Sequence, residues 1–444
     1  MKLHIEKSRR FVFVLLVMLI LPSMILAQTR QVNFRHLSSS DGLSQNRIFD
    51  ITQDQDGFIW IGTEDGLNRY DGYNFEVFKT IPGDSNSLAD NFSSVLLVTK
   101  DGTLWSGGDF GGLSRYNAES NSFTSYTHIH SDPNSMADNN INSLSENENG
   151  NLWIGFENNG FDYMIVNEEK FIHMKNMLPK NYPLERDEVI FVFEDRQNHL
   201  WVGAYGKVHY FNISYNSAGI PQLQPVKIRN QNFKNPVTAI EESTDNQIWI
   251  GTDGEGLWKF VRDNLTLDKF QFKSENDQAE INSLSISAIE SDSKGNIWIG
   301  SRVFSLVNEL DITTTKLYKL NTVNDDFQKY NLDPKNESGL RTSGVLSLHS
   351  DETGVLWIGT GLGGVRVYDE SLTKFTSYLA NPTDNSKFSN AIRGFYLDQE
   401  NVLWIASQGD GLVSYDRESE KINFYKNNKN ESYLNQFQLC YINL

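Results

Sequence analysis

The side chains with most scope for chemistry recur at one place in this sequence, a few positions after a tryptophan. Glu64 and Asp65 follow Trp60, Asp109 and Phe110 follow Trp105, and Asn158 and Asn159 follow Trp153. Tyr205 follows Trp201, Asp253 and Glu255 follow Trp249, and Arg302 follows Trp298. A second set precedes short apolar stretches: Asn46 and Arg47, Asn91, Asn140, Arg186, Arg341 and Arg393. Carboxylates, amides and guanidinium groups bond hydroxyls, and aromatic rings stack on sugar faces, so a surface gathering these groups would suit a glycan. The competing reading of each residue is a solvated turn position.

Catalytic and metal patterns are weaker. No spacing among the 57 acidic residues and 8 histidines singles out a Ser-His-Asp set or a carboxylate pair. Asp54-x-Asp56-Gly57 has the opening of a calcium loop but lacks the later ligands and the distal Glu. Its counterparts, Lys100-Asp-Gly102 and Asn147-Glu-Asn-Gly150, read as hairpin turns. His128 and His130 stand two apart, but no Cys or third His completes a ligand set. The expectation is a binding protein with no catalytic residue, metal or cofactor. A lyase or hydrolase and a protein-binding scaffold stay open as alternatives.

The elements that position these residues form a repeat. Eight of the nine tryptophans sit in cores such as Ile59-Trp60-Ile61-Gly62, Leu152-Trp153-Ile154-Gly155 and Leu403-Trp404-Ile405-Ala406, spaced 45, 48, 48, 48, 49, 59 and 47 residues apart. Each unit reads as four short strands: an inner strand like Ile48 to Ile51, the tryptophan core, a third like Gly66 to Asp71, and a fourth carrying Phe-x-x-Phe/Tyr, as in Phe123 to Tyr126. The core strand has apolar groups on both faces, so the sheet must be covered on both sides. Four-stranded blades stacked around an axis achieve that. The fold class is therefore all-β, a β-propeller. The small residue after Trp-Ile suits a place where backbones converge near the axis. The long spacing before Trp357 predicts a loop insertion around Asn321 to Glu337.

Closure has two readings. Phe34 and Leu37 stand in a segment that resembles a fourth strand, which would let the N-terminus complete the last blade. Residues 28–370 then form seven blades, and 371–444 hold the first blade and incomplete start of a second propeller. The alternative is one ring of eight. Ser432 repeats the serine found 18 residues before Trp105, Trp153 and Trp404, so the chain ends where a ninth unit is expected to begin, as a truncated array would.

Residues 1–27 read as a signal peptide: Lys2, Lys7, Arg9 and Arg10, then an apolar run from Phe11, then Ala27 at the cleavage point. The expected location is the periplasm, with no membrane insertion after cleavage. Without those residues the chain has 35 basic and 56 acidic residues, a net charge of -21. Such a surface repels nucleic acid and anionic lipid. Cys440 is the only cysteine, so no intrachain disulfide forms.

The succession Leu-Trp-Ile-Gly-Thr, Gly-Leu, Arg-Tyr-Asp and Phe-x-x-Tyr resembles the two-component regulator propeller repeat. The opening Phe34-Arg-His-Leu-Ser-Ser-Ser-Asp-Gly-Leu-Ser-Gln-Asn46 is also similar to where such sensors begin. The resemblance covers residues 28–444 and implies the periplasmic sensor region of a hybrid two-component histidine kinase of Bacteroidetes type. It also implies an oligosaccharide ligand bound near the ring faces, especially between two propellers. The implied partners are the remainder of a sensor kinase or a homodimer partner; this chain carries no kinase of its own.

Overall fold

The computed structural model describes residues 34–180, 182–184, 188–231, 233–271, 282–302, 317–322, 326–330, 344–371, 392–407, 411–416 and 421–425. The proposed signal peptide, Arg186, Arg341, Phe375 to Tyr378, Ser432 and Cys440 lie outside them. The chain divides into two units, Met1–Ser371 and Leu372–Leu444.

The described strands form eight four-stranded antiparallel sheets. The first runs Ile48–Gln53, Ile59–Thr63, Gly66–Tyr70 and Phe75–Phe78, in sequence order from inside to outside. The turn joining its first two strands is made by Asp54, whose Oδ1 accepts the N–H groups of Asp56 and Phe58, and by Gly57 at φ 86°. Glycine adopts that φ without a Cβ clash. The core strand is buried along its length, as are those at Leu152–Phe156, Ile248–Thr252 and Leu356–Thr360. Burial on both faces explains why these strands lack polar alternation.

In the first unit the inner strands are Ile48–Gln53, Val95–Val98, Ile141–Glu146, Phe191–Glu194, Val237–Glu242, Ile286–Ser291 and Val345–Ser350. Each contacts the next, and Val345–Ser350 contacts Ile48–Gln53, so the seven sheets follow one another in a closed cycle around an axial channel. The sheet containing Val345–Ser350 takes its outer strand from the N-terminus: Arg35–Leu37 pairs with Val365–Tyr368. Phe34 packs against Tyr330 and Tyr368 in the same core cluster.

The small residue after Trp-Ile is explained by the neighbouring sheet. A Cβ on Gly107 would stand 3.0 Å from Ile141, on Gly251 2.6 Å from Ile286, on Gly300 2.4 Å from Val345, and on Gly359 2.8 Å from Ile48. The space is therefore filled mainly by a β-branched side chain of the next inner strand, where the sequence suggested converging backbones. Gly62 alone of these meets a backbone group, the Ser93 carbonyl.

The insertion is also placed differently. Asp326–Tyr330 is an ordinary fourth strand, paired with Leu317–Asn321. The extra residues of this unit therefore fall earlier, between Asn296–Ser301 and Leu317–Asn321, because the third strand itself is displaced along the sequence.

The second unit's described residues form one sheet, Ile392–Leu397, Val402–Ser407, Gly411–Asp416 and Lys421–Tyr425. Its side chains are more exposed than those of the other sheets, Phe395, Tyr396, Leu397 and Tyr425 among them.

Candidate functional site

The loops after each second strand and before each inner strand share one rim of the ring. Hydrogen bonds between them assemble the candidate residues into two groups and divert others to structural work.

The first group spans the second and third sheets. The segment Gly107 to Gly112 is held against the preceding connection: a Cβ on Gly108 would meet the Phe92 carbonyl at 1.9 Å, and one on Gly111 would meet Asp90 at 2.3 Å. At its apex Phe110 is 75% exposed and sits at φ 77°. A bulky side chain there carries backbone strain, of a kind that often accompanies functional sites. The Phe110 N–H donates to Asn140 Oδ1 at 3.0 Å, and Asn140 Nδ2 donates to Glu157 Oε2 at 2.8 Å. Asn159 Nδ2 donates to Asp138 Oδ2 at 3.0 Å. Asp109 is raised above the ordinary carboxylate range by burial, then by the charges of Glu157 and Asp90. Asn158, on the same loop, is exposed.

The second group joins the fifth, sixth and first sheets. Asp253 Oδ1 accepts the Ser285 hydroxyl at 2.5 Å, and the Asp253 carbonyl accepts Asn235 Nδ2 at 2.8 Å. Arg302 is pulled down to about 10, first by burial; Asp253 opposes this and Arg47 adds to it. The three are therefore electrostatic neighbours. Arg47 also lies over the Phe49 ring, 5.2 Å from its centroid, and Phe49 stands 4.7 Å from Phe92.

Other candidates are committed elsewhere. Asn46 Oδ1 accepts the Ser39 N–H at 2.8 Å, and the Asn46 carbonyl accepts the Gly364 N–H at 2.9 Å, fastening the first loop to the seventh sheet. Asp65 pairs with Lys79 at 2.6 Å. Glu255 Oε2 accepts the Lys234 and Asn235 N–H groups at 2.9 and 3.3 Å. Tyr205 is 37% exposed. His128 Nδ1 lies 2.6 Å from the Met136 carbonyl, which ties one of the paired histidines to its own loop.

The sequence reading missed Asp90, Asp138, Glu157 and Ser285. A signal was present for two of them, since Ser87-Leu-Ala-Asp-Asn91 is repeated as Ser135-Met-Ala-Asp-Asn139 and places an acid at one point of each connection. Chemically, the first group offers an exposed aromatic face beside amides and carboxylates; the second offers a guanidinium, a carboxylate and a hydroxyl.

A sequence model of the two-component regulator propeller matches residues 42–65, 135–158 and 280–302. These segments are two-component regulator propeller repeats. Each holds the approach to an inner strand and its tryptophan core. A histidine kinase of Formosa agariphila is 43% identical over 63 residues, which is 14% of this chain and 5% of that protein. The extracellular domain of a putative hybrid two-component system from B. thetaiotaomicron superposes with a TM-score of 0.61 at 22% identity, covering 90% of this chain and 55% of that one. The extracellular domain of a putative one-component system from the same organism gives 0.56 at 18%, covering 88% and 54%. A streptogramin B lyase gives 0.52 at 13%, covering 76% and 98%. At these identities the likenesses show a shared β-propeller fold. The chain spans about half the length of the two extracellular domains. Among the described residues no helix is long and apolar enough to cross a membrane.

Proposed function

We propose that this propeller is the periplasmic ligand-sensing module of a two-component system, that its ligand is an oligosaccharide derived from a glycan, and that it acts by binding without chemistry. The observation carrying the sensor reading is the match of three separate repeats to the two-component regulator propeller. The ligand class rests on the rim, where Phe110 offers an exposed ring beside Asn140, Glu157 and Asn159. Amides and carboxylates order hydroxyls, and a ring covers the apolar face of a sugar. A histidine kinase is the proposed partner, with a second copy of the sensor as a further one. Residues 371–444 are proposed as the opening of a second propeller, and residues 1–27 as the export signal.

The test is calorimetric titration of the exported chain with a panel of oligosaccharides, beside a Phe110→Ala variant. The reading expects at least one sugar to bind and the variant to lose tenfold or more in affinity, the scale of about 1.4 kcal/mol. A sugar that binds both proteins equally removes Phe110 from the site. Absence of binding across the panel removes the oligosaccharide reading.

A further inference from the structure

The inner strand of every blade is an edge, and its N–H groups on the channel side have no strand partner. In several blades a side chain from the preceding inner strand supplies the acceptor. Val192 N–H donates to Ser143 Oγ at 2.8 Å. At three other junctions the acceptor is a carboxyl group. Leu96 N–H donates to Asp50 Oδ2 at 2.7 Å, Ser291 N–H to Glu241 Oε1 at 3.2 Å, and Ser350 N–H to Glu290 Oε1 at 2.8 Å. Glu241 and Glu290 occupy the same register in adjacent blades, each opposite the core tryptophan, Trp249 and Trp298.

These carboxyls are poorly compensated. Among the described residues, the ionisable group of opposite sign within 4 Å of any of them is His349, whose Nδ1 lies 3.9 Å from Glu290 Oε1. The Glu290 and His349 side chains are only 21% and 22% accessible. A carboxylate held there without a cation is costly, and it lowers the cost by taking a proton.

We propose that Asp50, Glu241 and Glu290 form a proton-controlled clamp between inner strands: protonated, they bridge successive blades through the edge N–H groups without a buried charge; ionised, their buried, mutually repelling charges loosen the junctions of the first blade with the second, the fifth with the sixth and the sixth with the seventh. The groups facing them have the right signs. Glu241 faces Glu290 and Glu242, with Arg196 opposing; Glu290 faces Asp50, Asp292 and His349. Burial is the first cause of a raised proton affinity at all three, to about 7 at Asp50 and about 8 at Glu290. His349 is lowered to about 4 by burial and stays neutral wherever the carboxyls titrate.

A carboxyl with a raised pKa in the fold favours the folded state most below its unfolded value, and this is lost as pH rises through the folded value. The clamp should therefore fail as pH climbs from 6.5 to 9. The experiment follows thermal unfolding of the full chain by near-ultraviolet circular dichroism at both pH values, for the wild type and for Glu241→Gln/Glu290→Gln. Glutamine keeps the acceptor oxygen and removes the charge. The expected result is a wild-type melting temperature lower by roughly 5 °C or more at pH 9, with most of that loss absent in the double variant. Infrared spectroscopy of the wild type reads the same groups directly, so a variant that fails to fold does not block the test. Protonated carboxyl bands should persist at pH 6.5 and vanish by pH 9. A double variant with the full wild-type loss, or no protonated band at pH 6.5, overturns the proposal.

Discussion

The indole N–H of Trp60 donates to the Asp54 carboxylate, 2.6 Å away across the hairpin turn that precedes the core strand. The same pair recurs as Trp201 with Asp195, Trp298 with Asp292, Trp357 with Asp351 and Trp404 with Asp398, at 2.7 to 3.0 Å and always six residues apart. One carboxyl oxygen organises the turn while the other satisfies the buried tryptophan. The residue that shapes the hairpin therefore also anchors the core.

Removing that carboxylate should cost more than a surface charge. Asp292 is buried and accepts from the Lys294 and Asn296 backbone, the Asn296 side chain and Trp298. Asp292→Ala leaves these donors without their acceptor and should destabilise by about 2–3 kcal/mol. Urea denaturation should show the midpoint falling with the slope unchanged.

The fifth blade offers the converse experiment. Ser243 stands where five of the sheets have Asp54, Asp195, Asp292, Asp351 and Asp398, and the Trp249 indole N–H is buried with no hydrogen-bond partner. Ser243→Asp should supply it and stabilise by about 1 kcal/mol. Arg196, which already donates to the Ser243 carbonyl at 2.8 Å, would face the new charge. The same urea experiment reads the gain as a raised midpoint.

Gly300→Ala tests the contact between blades. The added methyl would stand 2.4 Å from Val345 of the next inner strand, which is already buried. Overpacking of this kind should cost about 1–3 kcal/mol. Gly354→Ala, which meets nothing within 4 Å but sits at φ 83°, separates backbone strain from packing. Unfolding midpoints of the two variants should show the larger loss at Gly300.

Two histidines should titrate on opposite sides of their ordinary value. His173 is raised, first by its hydrogen bond to the Asp162 carboxylate at 2.9 Å. Its contribution to stability is present below pH 6.5 and is lost as pH rises through the folded value. His209 is lowered to about 4 by burial, with Lys207 adding to the effect. It remains neutral with Nδ1 on the Tyr182 hydroxyl at 2.9 Å. Stability linked to His209 falls as pH drops from 6.5 towards 4. Proton NMR of the imidazole rings should resolve both; a His209 that titrates near 6.5 would place it in solvent.

Much of the fold was legible because it is periodic. The repeated Trp-Ile-Gly core announced its own burial, and Leu-Trp-Ile with no polar alternation required cover on both faces. Phe34 could be placed beside the later fourth strands because the same aromatic spacing recurs there. The long sixth unit was misplaced because spacing between tryptophans counts extra residues without saying which connection holds them. The rim was legible only as a set of positions. Asp65 and Glu255 carry the same carboxylate as Asp109 and Asp253, and Asn46 the same amide as Asn140, yet the fold spends their side chains on turns and ion pairs. Asp90 and Asp138 carried a mark only in the repeated Ser-x-Ala-Asp-Asn, and Glu157 carried none, because an acid in a polar loop gains its meaning when another loop closes on it.

The sequence by itself determined the repeat, the four-stranded unit and the residue types offered to the rim, since these follow from local pattern and from the burial of apolar faces. Only the tertiary structure decided that Gly359 meets Ile48, that Phe110 is held at the apex of a strained loop, and that Glu241, Glu290 and Asp50 each accept an N–H of the next inner strand. Those relations join residues tens to hundreds of positions apart. Periodicity fixes what each blade presents, but closure of the ring fixes which neighbour it is presented to.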